Sequence, residues 1–475
     1  MNRSRHGGRR LDATVVLTAA LPLVIAGALA LTRPDAPQIL TTAPSSAALT
    51  SAEVICPGAL SAKASGAATL ALGSATDAGT TGAGTLTRAP QVAQQPSGSR
   101  SAPTKVALTG QRVLTRSADT APVVVGATGD VAPGLLGSVT TQTHLTAWDC
   151  TQPLGDQWFT GVGAGPTQAS VIELVNPNQG PAIADIEVLS DEGLLSVPAL
   201  RGVAVDSRRS VQLDLGALVP RTGVMALHVS VVRGQVGVAV RDRGERLTGG
   251  TTTEEWLAPQ VAPAATSRLL GLQSGSGRHS LVIANPGEDQ VTATVKLITA
   301  DSTFAPDGLT TISVAPHTVV STALDAVLRA DKGGDAVGVE IDASAPVTSS
   351  LRSVVDGDLS FLVPGETVSE ATTLLVPAGA KKLVLAGADA LGVATVVGRG
   401  ADGTQLISQR VSLTPKKASV LTLPGGVRSV EVTPERTGVS GAVLITGTGG
   451  AKGAAVLRLR TLQRSGAVPA VSFGP

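Results

Sequence analysis

The sequence predicts an all-β protein: tandem immunoglobulin-like β-sandwich repeats after an N-terminal transmembrane helix. Three observations predict this fold class. A pattern of about 110 residues recurs along the chain. Its segments alternate apolar and polar side chains with a period of two. An uncharged run of about 20 residues follows an arginine-rich start. Hydrophobic residues make up 43% of the chain, which is enough for several cores.

The N-terminal segment predicts the location of the chain. Arginines crowd residues 1–10, and the uncharged run at 13–32 follows them. A run of this length spans the hydrocarbon layer, and arginines beside it stay on the cytoplasmic side. Residues 1–32 therefore predict a cytoplasmic tip and a single-pass anchor in the cell membrane, with the bulk of the chain extracytoplasmic. The alternative is a cleaved signal peptide, which the motif Ala28-Leu29-Ala30 would suit.

The clearest repeat is built around two Asn-Pro pairs. The stretch VIELVNPNQGPAIADIEVL at 171–189 matches SLVIANPGEDQVTATVKLI at 280–298. Proline cannot join a strand ladder, and asparagine bonds to nearby backbone, so each pair predicts a turn that opens a hairpin. The two pairs are Asn176-Pro177 and Asn285-Pro286.

The repeat divides the chain into four units that follow a flexible stalk at 33–50. A unit of about 110 residues is too long for one propeller blade of 40–50 residues, which favours sandwiches. The last unit is a weaker copy that lacks the Asn-Pro pair. The predicted units cover 51–152, 153–259, 260–364 and 365–475.

A large aromatic residue marks the end of each predicted unit. These residues are Trp148, Trp256, Phe361 and Phe473. Because aromatic rings bury far more area than the surrounding Val, Ala and Leu, we expect each ring to plug the end of a core. The alternative is that the rings contact a ligand.

The first unit is the least regular. Its insert at 75–105 is rich in Gly, Ser, Thr, Pro and Gln, and this composition predicts a flexible loop. The chain has two cysteines, Cys56 and Cys150, at the two ends of this unit. Export to an oxidising compartment predicts a disulfide between them; the alternative is two buried free thiols.

These motifs together resemble a known family. The arginine-led anchor, the VICPG stretch at 54–58, the WDC at 148–150 and the repeated Asn-Pro hairpins are similar to an uncharacterised actinobacterial family. That family is described only as a domain of unknown function on membrane-anchored, exported proteins. The resemblance implies the same topology and location, and it implies no catalytic or binding residue.

The composition and motifs exclude several classes of function. A net charge of +1 does not indicate nucleic-acid binding, which requires a clearly basic surface. Aromatic residues make up only 1% of the chain, so few side chains could stack on bases. No two histidines have the spacing of a zinc site. His228 alternates within a strand, His279 lies in a sequence typical of a solvated turn, and Asp356-Gly357-Asp358 favours a tight turn over a calcium loop. The sequence therefore predicts no cofactor, metal or catalytic site.

The predicted function is that of a non-enzymatic structural or interaction protein of the cell envelope. Its predicted partners are the membrane, through 13–32, and an unidentified envelope protein or glycan, with no nucleic acid. The alternative is an accessory subunit of an envelope enzyme or transporter that handles glycan or lipid intermediates. That alternative requires an apolar pocket between the units. A hydrolase would require Ser, His and Asp to converge from separate units.

Overall fold

Antiparallel strands form nearly all of the regular structure in the part of the chain that the computed structural model describes. The described residues are 45–60, 68–91, 102–141, 145–244, 253–273, 277–309, 311–330, 333–447 and 453–468. They fall into two units, of which the larger is Ala48–Ser465. The smaller holds most of β1 (Ser45–Ala48), whose partner is the last strand of the chain, Ser465–Val468.

The larger unit is a four-bladed β-propeller, so the prediction of tandem immunoglobulin-like sandwiches is wrong, although the all-β class is confirmed. A unit of about 110 residues is too long only for a blade made of a single sheet. Each blade here has two layers of four or five strands. In blades two and three one strand, Asp156–Gly165 and Gly338–Val355 respectively, belongs to both layers and joins them into one sheet. A blade of two layers needs about twice the 40–50 residues of a single-sheet blade.

In the described part of the chain, blades one and two are built from strands of three to ten residues. Blade one contains β2 (Ser51–Cys56), β3 (Ala68–Ser74), β4 (Thr81–Arg88), β5 (Thr104–Thr109), β6 (Val113–Ser117), β7 (Val123–Thr128), β8 (Leu135–Thr141) and β9 (Thr146–Asp149). Blade two contains β10 (Asp156–Gly165), β11 (Gln168–Val175), β12 (Ala182–Ser190), β13 (Gly193–Leu195), β14 (Val203–Val205), β15 (Ser210–Asp214), β16 (Val224–Arg233), β17 (Gly237–Gly244) and β18 (Thr253–Leu257).

Blades three and four follow the same plan. Blade three contains β19 (Ala264–Leu270), β20 (Gly277–Ala284), β21 (Val291–Ile298), β22 (Thr303–Phe304), β23 (Ile312–Val314), β24 (Val319–Ala323), β25 (Gly338–Val355) and β26 (Asp358–Leu362). Blade four contains β27 (Thr367–Val368), β28 (Thr372–Leu375), β29 (Ala380–Ala386), β30 (Gly392–Arg399), β31 (Gln405–Leu413), β32 (Ser419–Leu423), β33 (Ser429–Glu435), β34 (Val439–Thr446) and β35 (Ala454–Arg458). The described helices are short: α-helical at Leu215–Leu218 and Asp325–Arg329, and 3-10 at Gly129–Gly134 and Pro198–Leu200.

Alternation along the strands places the cores between the two layers of each blade. In β12 the apolar residues Ala182, Ala184, Ile186 and Val188 are buried, and the residues between them are partly exposed. Side chains on a strand point to opposite faces in turn, so this pattern commits one face to the core. Burial of that face removes apolar surface from water at about 25 cal/mol per Å².

The Asn-Pro turns do not close hairpins, contrary to the sequence-based expectation. β11 pairs with β15 and β17 in one layer, whereas β12 pairs with β13, β14 and β16 in the other. β20 and β21 are separated between two layers in the same way. Each Asn-Pro turn therefore carries the chain across the core from one layer to the next.

The last strand of every blade contacts the last strands of the neighbouring blades. β9, β18, β26 and β35 form a closed ring of contacts in which β9 meets both β18 and β35. Apolar side chains pack across the blade boundaries as well. Phe361 of blade three lies in the same buried cluster as Phe159 of blade two, and Ala147 of blade one lies with Leu459, next to blade four.

Two further predictions are corrected. The predicted membrane anchor at 13–32 lies outside the described residues, and among the described helices none is long and apolar enough to cross a membrane. The described part of the chain therefore does not support the predicted N-terminal transmembrane helix or the single-pass location in the cell membrane. Within the predicted flexible insert at 75–105, β4 forms a regular strand paired to β5 and β7, and residues 92–101 lie outside the described part.

Candidate functional site where the four blades meet

A cavity of about 730 Å³ lies where the four blades meet. Its wall takes residues from all four last strands and from the loops that follow them, including Trp148, Trp256, Phe361 and Leu457. We call this cavity the axial pocket. Ligand pockets typically measure 300–1,000 Å³, so this one accommodates a small molecule.

The aromatic residues at the predicted unit ends line this pocket together. The rings of Trp148 and Trp256 meet edge to face across the boundary of blades one and two, with centroids 5.6 Å apart and planes at 61°. Phe361 lies on the same wall. Phe473, the fourth residue of the predicted set, lies outside the described residues. The three described rings therefore pack between blades and also line a cavity.

Arg458 brings a positive charge to the pocket wall. Its guanidinium donates to the carbonyl oxygens of Pro364 at 2.7 Å and Pro259 at 2.9 Å. Those prolines end the equivalent stretches WLAP and FLVP of two blades. Among the described residues no carboxylate oxygen lies within 4.0 Å of this guanidinium. Burial lowers the pKa of Arg458 to about 10, although Glu366 and Asp149 act in the opposite direction.

Arg460, two residues further on, is neutralised by a carboxylate. It forms an ion pair with Asp149 of blade one, and it donates to the carbonyl oxygen of Cys150 at 2.9 Å. Burial lowers the pKa of Arg460, but Asp149 and then Glu366 more than offset it, so the pKa is raised. This pair joins blade four to blade one.

The disulfide lies beside this contact. Cys56 and Cys150 are bonded with an S–S distance of 2.04 Å, which confirms the predicted pairing. Cys56 ends β2, and Cys150 immediately follows β9. The bond therefore ties the first strand of blade one to its last strand, and it fixes the backbone whose carbonyl group Arg460 contacts.

The two predicted turn asparagines serve the backbone and lie away from the pocket lining. The side-chain amide of Asn176 donates to the carbonyl oxygens of Gly180 at 2.8 Å and Val205 at 2.9 Å, and its oxygen accepts the N–H of Asn178 at 2.9 Å. Asn285 makes the matching set, with Asp289, Val314, Ala315 and Gly287. Pro177 and Pro286 follow these asparagines at the start of each layer crossing.

The described histidines are dispersed. His228 on β16 stacks on Trp158 at 4.2 Å and faces Asp156 and Glu187. His279 is a buried residue of β20 and bonds to the Ser353 hydroxyl at 2.9 Å, so its assignment to a solvated turn is wrong. Burial lowers the pKa of His279. His6 and His144 lie outside the described residues.

The polar turns considered for metals have structural explanations. Asp356 and Gly357 both have positive φ, at 52° and 83°, in the tight turn between β25 and β26. Asp358 accepts the N–H of Ala454 at 3.0 Å. In the part of the chain that the structure describes, no three His, Cys, Asp or Glu residues are grouped to hold a metal ion.

Sequence reasoning missed the two pocket arginines. Both lie in AAVLRLRTL, a pattern that predicts only a closing strand. The available signal was the alternation of Arg458 and Arg460 with the apolar Leu457 and Leu459. Such alternation is also the pattern of an ordinary solvated strand face, so the signal could not separate the two cases.

Comparison with known protein families matches residues 113–424 to a family of unknown function, DUF5719. The match covers more than half of the chain and spans parts of all four blades. It agrees with the resemblance to an uncharacterised family noted from the sequence. No curated protein matches the chain.

Proposed function

The chain belongs to the DUF5719 family, whose function is unknown, and from that premise we propose that it is a non-enzymatic interaction protein of the cell envelope that works outside the cytoplasm. It binds its partner or ligand at the axial pocket. The observation that carries this proposal is the pocket itself, which takes wall residues from all four blades.

The disulfide supports the location. Disulfides persist in oxidising compartments and are rare in the cytosol. The Cys56–Cys150 bond also holds the segment that the pocket shares with blade one, because Ala147 to Asp149 line the cavity. A pocket wall that is cross-linked by a disulfide is stable in an oxidising compartment, which supports a location outside the cytoplasm.

A second candidate is an accessory subunit for an envelope enzyme or transporter. The observation that favours it is the lining of the pocket, where aromatic, proline and aliphatic residues outnumber charged ones. Such walls bind the apolar part of a ligand, and a few polar groups orient it. A subunit that holds a lipid or glycan intermediate requires a site of this kind between its structural units.

The experiment is proximity crosslinking in the native envelope with a variant that blocks the pocket mouth. Val261 lines the pocket and is 47% exposed, so Val261→Arg places a charged side chain at the opening without disturbing a core. Val232, which is 63% exposed on β16 and outside the pocket lining, provides the matched control Val232→Arg. We expect partners captured by the natural chain to be lost with Val261→Arg and retained with Val232→Arg. Equal capture by both variants would reject the pocket as the binding site.

A further inference from the structure

Arg458 differs from two other partly buried arginines, Arg460 and Arg352, in its partners. Arg460 faces Asp149, and Arg352 faces the fully buried carboxylate of Asp242 at 3.2 Å. Arg458 faces two carbonyl oxygens, and no described carboxylate lies within 4.0 Å of it. The three arginines thus share a partly buried setting, but only Arg458 combines a pocket-facing position with the lack of a paired anion.

A partly buried cation with no described carboxylate in contact favours the arrival of an anion. Removing a charge from water is costly unless an opposite charge compensates it. The lowered pKa of Arg458 reflects this cost, because burial is its largest cause. The guanidinium has five N–H donors in a planar fork, and two carbonyl bonds leave donors for a planar or tetrahedral oxyanion.

The rest of the wall suits an apolar body. Trp256 and Phe361 lie on the last strands of blades two and three, next to the loops whose proline carbonyls hold Arg458. Val363 and Leu459 extend the same wall. A ligand that reaches Arg458 with its head therefore meets aromatic and aliphatic side chains along its length.

We propose that the axial pocket takes a small amphiphile with one anionic head, a carboxylate or a phosphate ester. The head binds to Arg458, and the apolar body packs against Trp256 and Phe361. This inference rests on the proposed function, since it names the class of ligand for the same pocket.

The chain offers a selective optical probe of this site. It contains three tryptophans and no tyrosine, and two of the tryptophans, Trp148 and Trp256, line the pocket. In a Trp158→Phe background, tryptophan fluorescence therefore reports on the pocket alone. Full-length protein is titrated with decanoate, decyl phosphate, decanol and inorganic phosphate.

We expect saturable fluorescence changes with decanoate or decyl phosphate, and the stronger of the two identifies the head group. Decanol, which keeps the apolar body without the charge, should bind at least ~10-fold more weakly, as hydrogen bonds to a charged group predict. Arg458→Met should weaken the anionic probe ~10- to 100-fold and leave decanol unchanged. Arg410→Met, at an exposed arginine of β31, is the matched control and should change nothing.

Arg458→Lys keeps the positive charge but lacks the planar guanidinium. This variant replaces Arg458→Met in the test if the methionine variant does not fold. It should retain part of the affinity for the anionic probe. Equal binding of decanoate and decanol, unaltered by either Arg458 variant, would overturn the inference. If no amphiphile binds while Val261→Arg still abolishes partner capture, the amphiphile inference fails and the proposed function stands. If partner capture is also insensitive to Val261→Arg, both fail.

Discussion

At the scale of single residues, Asn176 and Asn285 supply hydrogen-bond partners to backbone groups in the turns where the chain crosses between layers. The fully buried Asn176 satisfies two carbonyl groups and one N–H at distances of 2.8 to 2.9 Å. We expect Asn176→Ala to lower the free energy of unfolding by about 2–4 kcal/mol, because buried polar groups lose their partners. Asn178 contributes backbone atoms to the same turn, so Asn178→Ala is the control, and urea denaturation measures both. Equal stability of the two variants would show that the asparagine side chain is dispensable.

Lys381 is a buried lysine of blade four. Its ammonium group donates to the carbonyl oxygens of Pro377 at 2.9 Å, Gly379 at 2.7 Å and Gly425 at 3.3 Å. Burial, and then the nearby charge of Arg428, lower the pKa of Lys381 to about 8. An unfolded lysine titrates near pH 10.4, so between about pH 8 and pH 10.4 the unfolded chain holds a proton that the folded chain has released.

The free energy of unfolding contributed by Lys381 should therefore rise with pH across this window and stay flat below it. The measurement is the difference in unfolding free energy between the natural chain and Lys381→Met from pH 7 to pH 10. Lys382, the exposed neighbour on β29, gives the control Lys382→Met. A constant difference over the whole range would contradict the lowered pKa of Lys381.

At the scale of elements, a glycine controls the contact between blades two and three. Gly161 has φ of 96° at the irregularity in β10, and a Cβ at this position would lie 2.5 Å from the Ser350 hydroxyl oxygen. That hydroxyl donates to the carbonyl oxygen of Thr160 at 2.6 Å, across the blade boundary. Both the backbone conformation and the space thus require glycine.

We expect Gly161→Ala to destabilise the protein by about 2–4 kcal/mol, from strain at positive φ and from displacement of Ser350. A Cβ at Gly155 would meet no heavy atom within 4 Å, so Gly155→Ala should change the stability little. Thermal unfolding of the two variants tests the comparison. If Gly155→Ala lowered the stability as much as Gly161→Ala, the close contact between blades two and three would not explain the requirement for glycine.

The sequence was sufficient to predict strands but not their partners. Burial on alternate residues of β12 follows from local period-two alternation, so such strands can be recognised from a short window. A hairpin and a layer crossing have the same local sequence, two apolar strands around an Asn-Pro pair. Only the contacts that each strand makes with residues distant in sequence distinguish one structure from the other. The contact between Trp148 and Trp256 across a blade boundary is also distant in sequence. The sequence therefore did not predict it, nor the axial pocket that both rings line.

At the scale of the whole unit, the ring of last strands determines the dimensions in solution. Because the four blades of Ala48–Ser465 meet one another, a chain trimmed to this unit should have a radius of gyration of about 22 Å, the value for a compact chain of this length. Small-angle scattering measures it. A string of units without contacts between the first and last would give a clearly larger radius, and such a result would exclude the closed propeller.

The joint between blades four and one has a consequence for biosynthesis. Arg460 and Asp149 are 311 residues apart, and the side-chain pair they form is one of the contacts that complete the circle. Blade one is synthesised first and blade four last. The side of blade one that packs against blade four, its flank, is therefore uncovered until synthesis is complete. Nascent or truncated chains that lack β35 would present that flank, with Leu145 and Ala147, to chaperones and proteases.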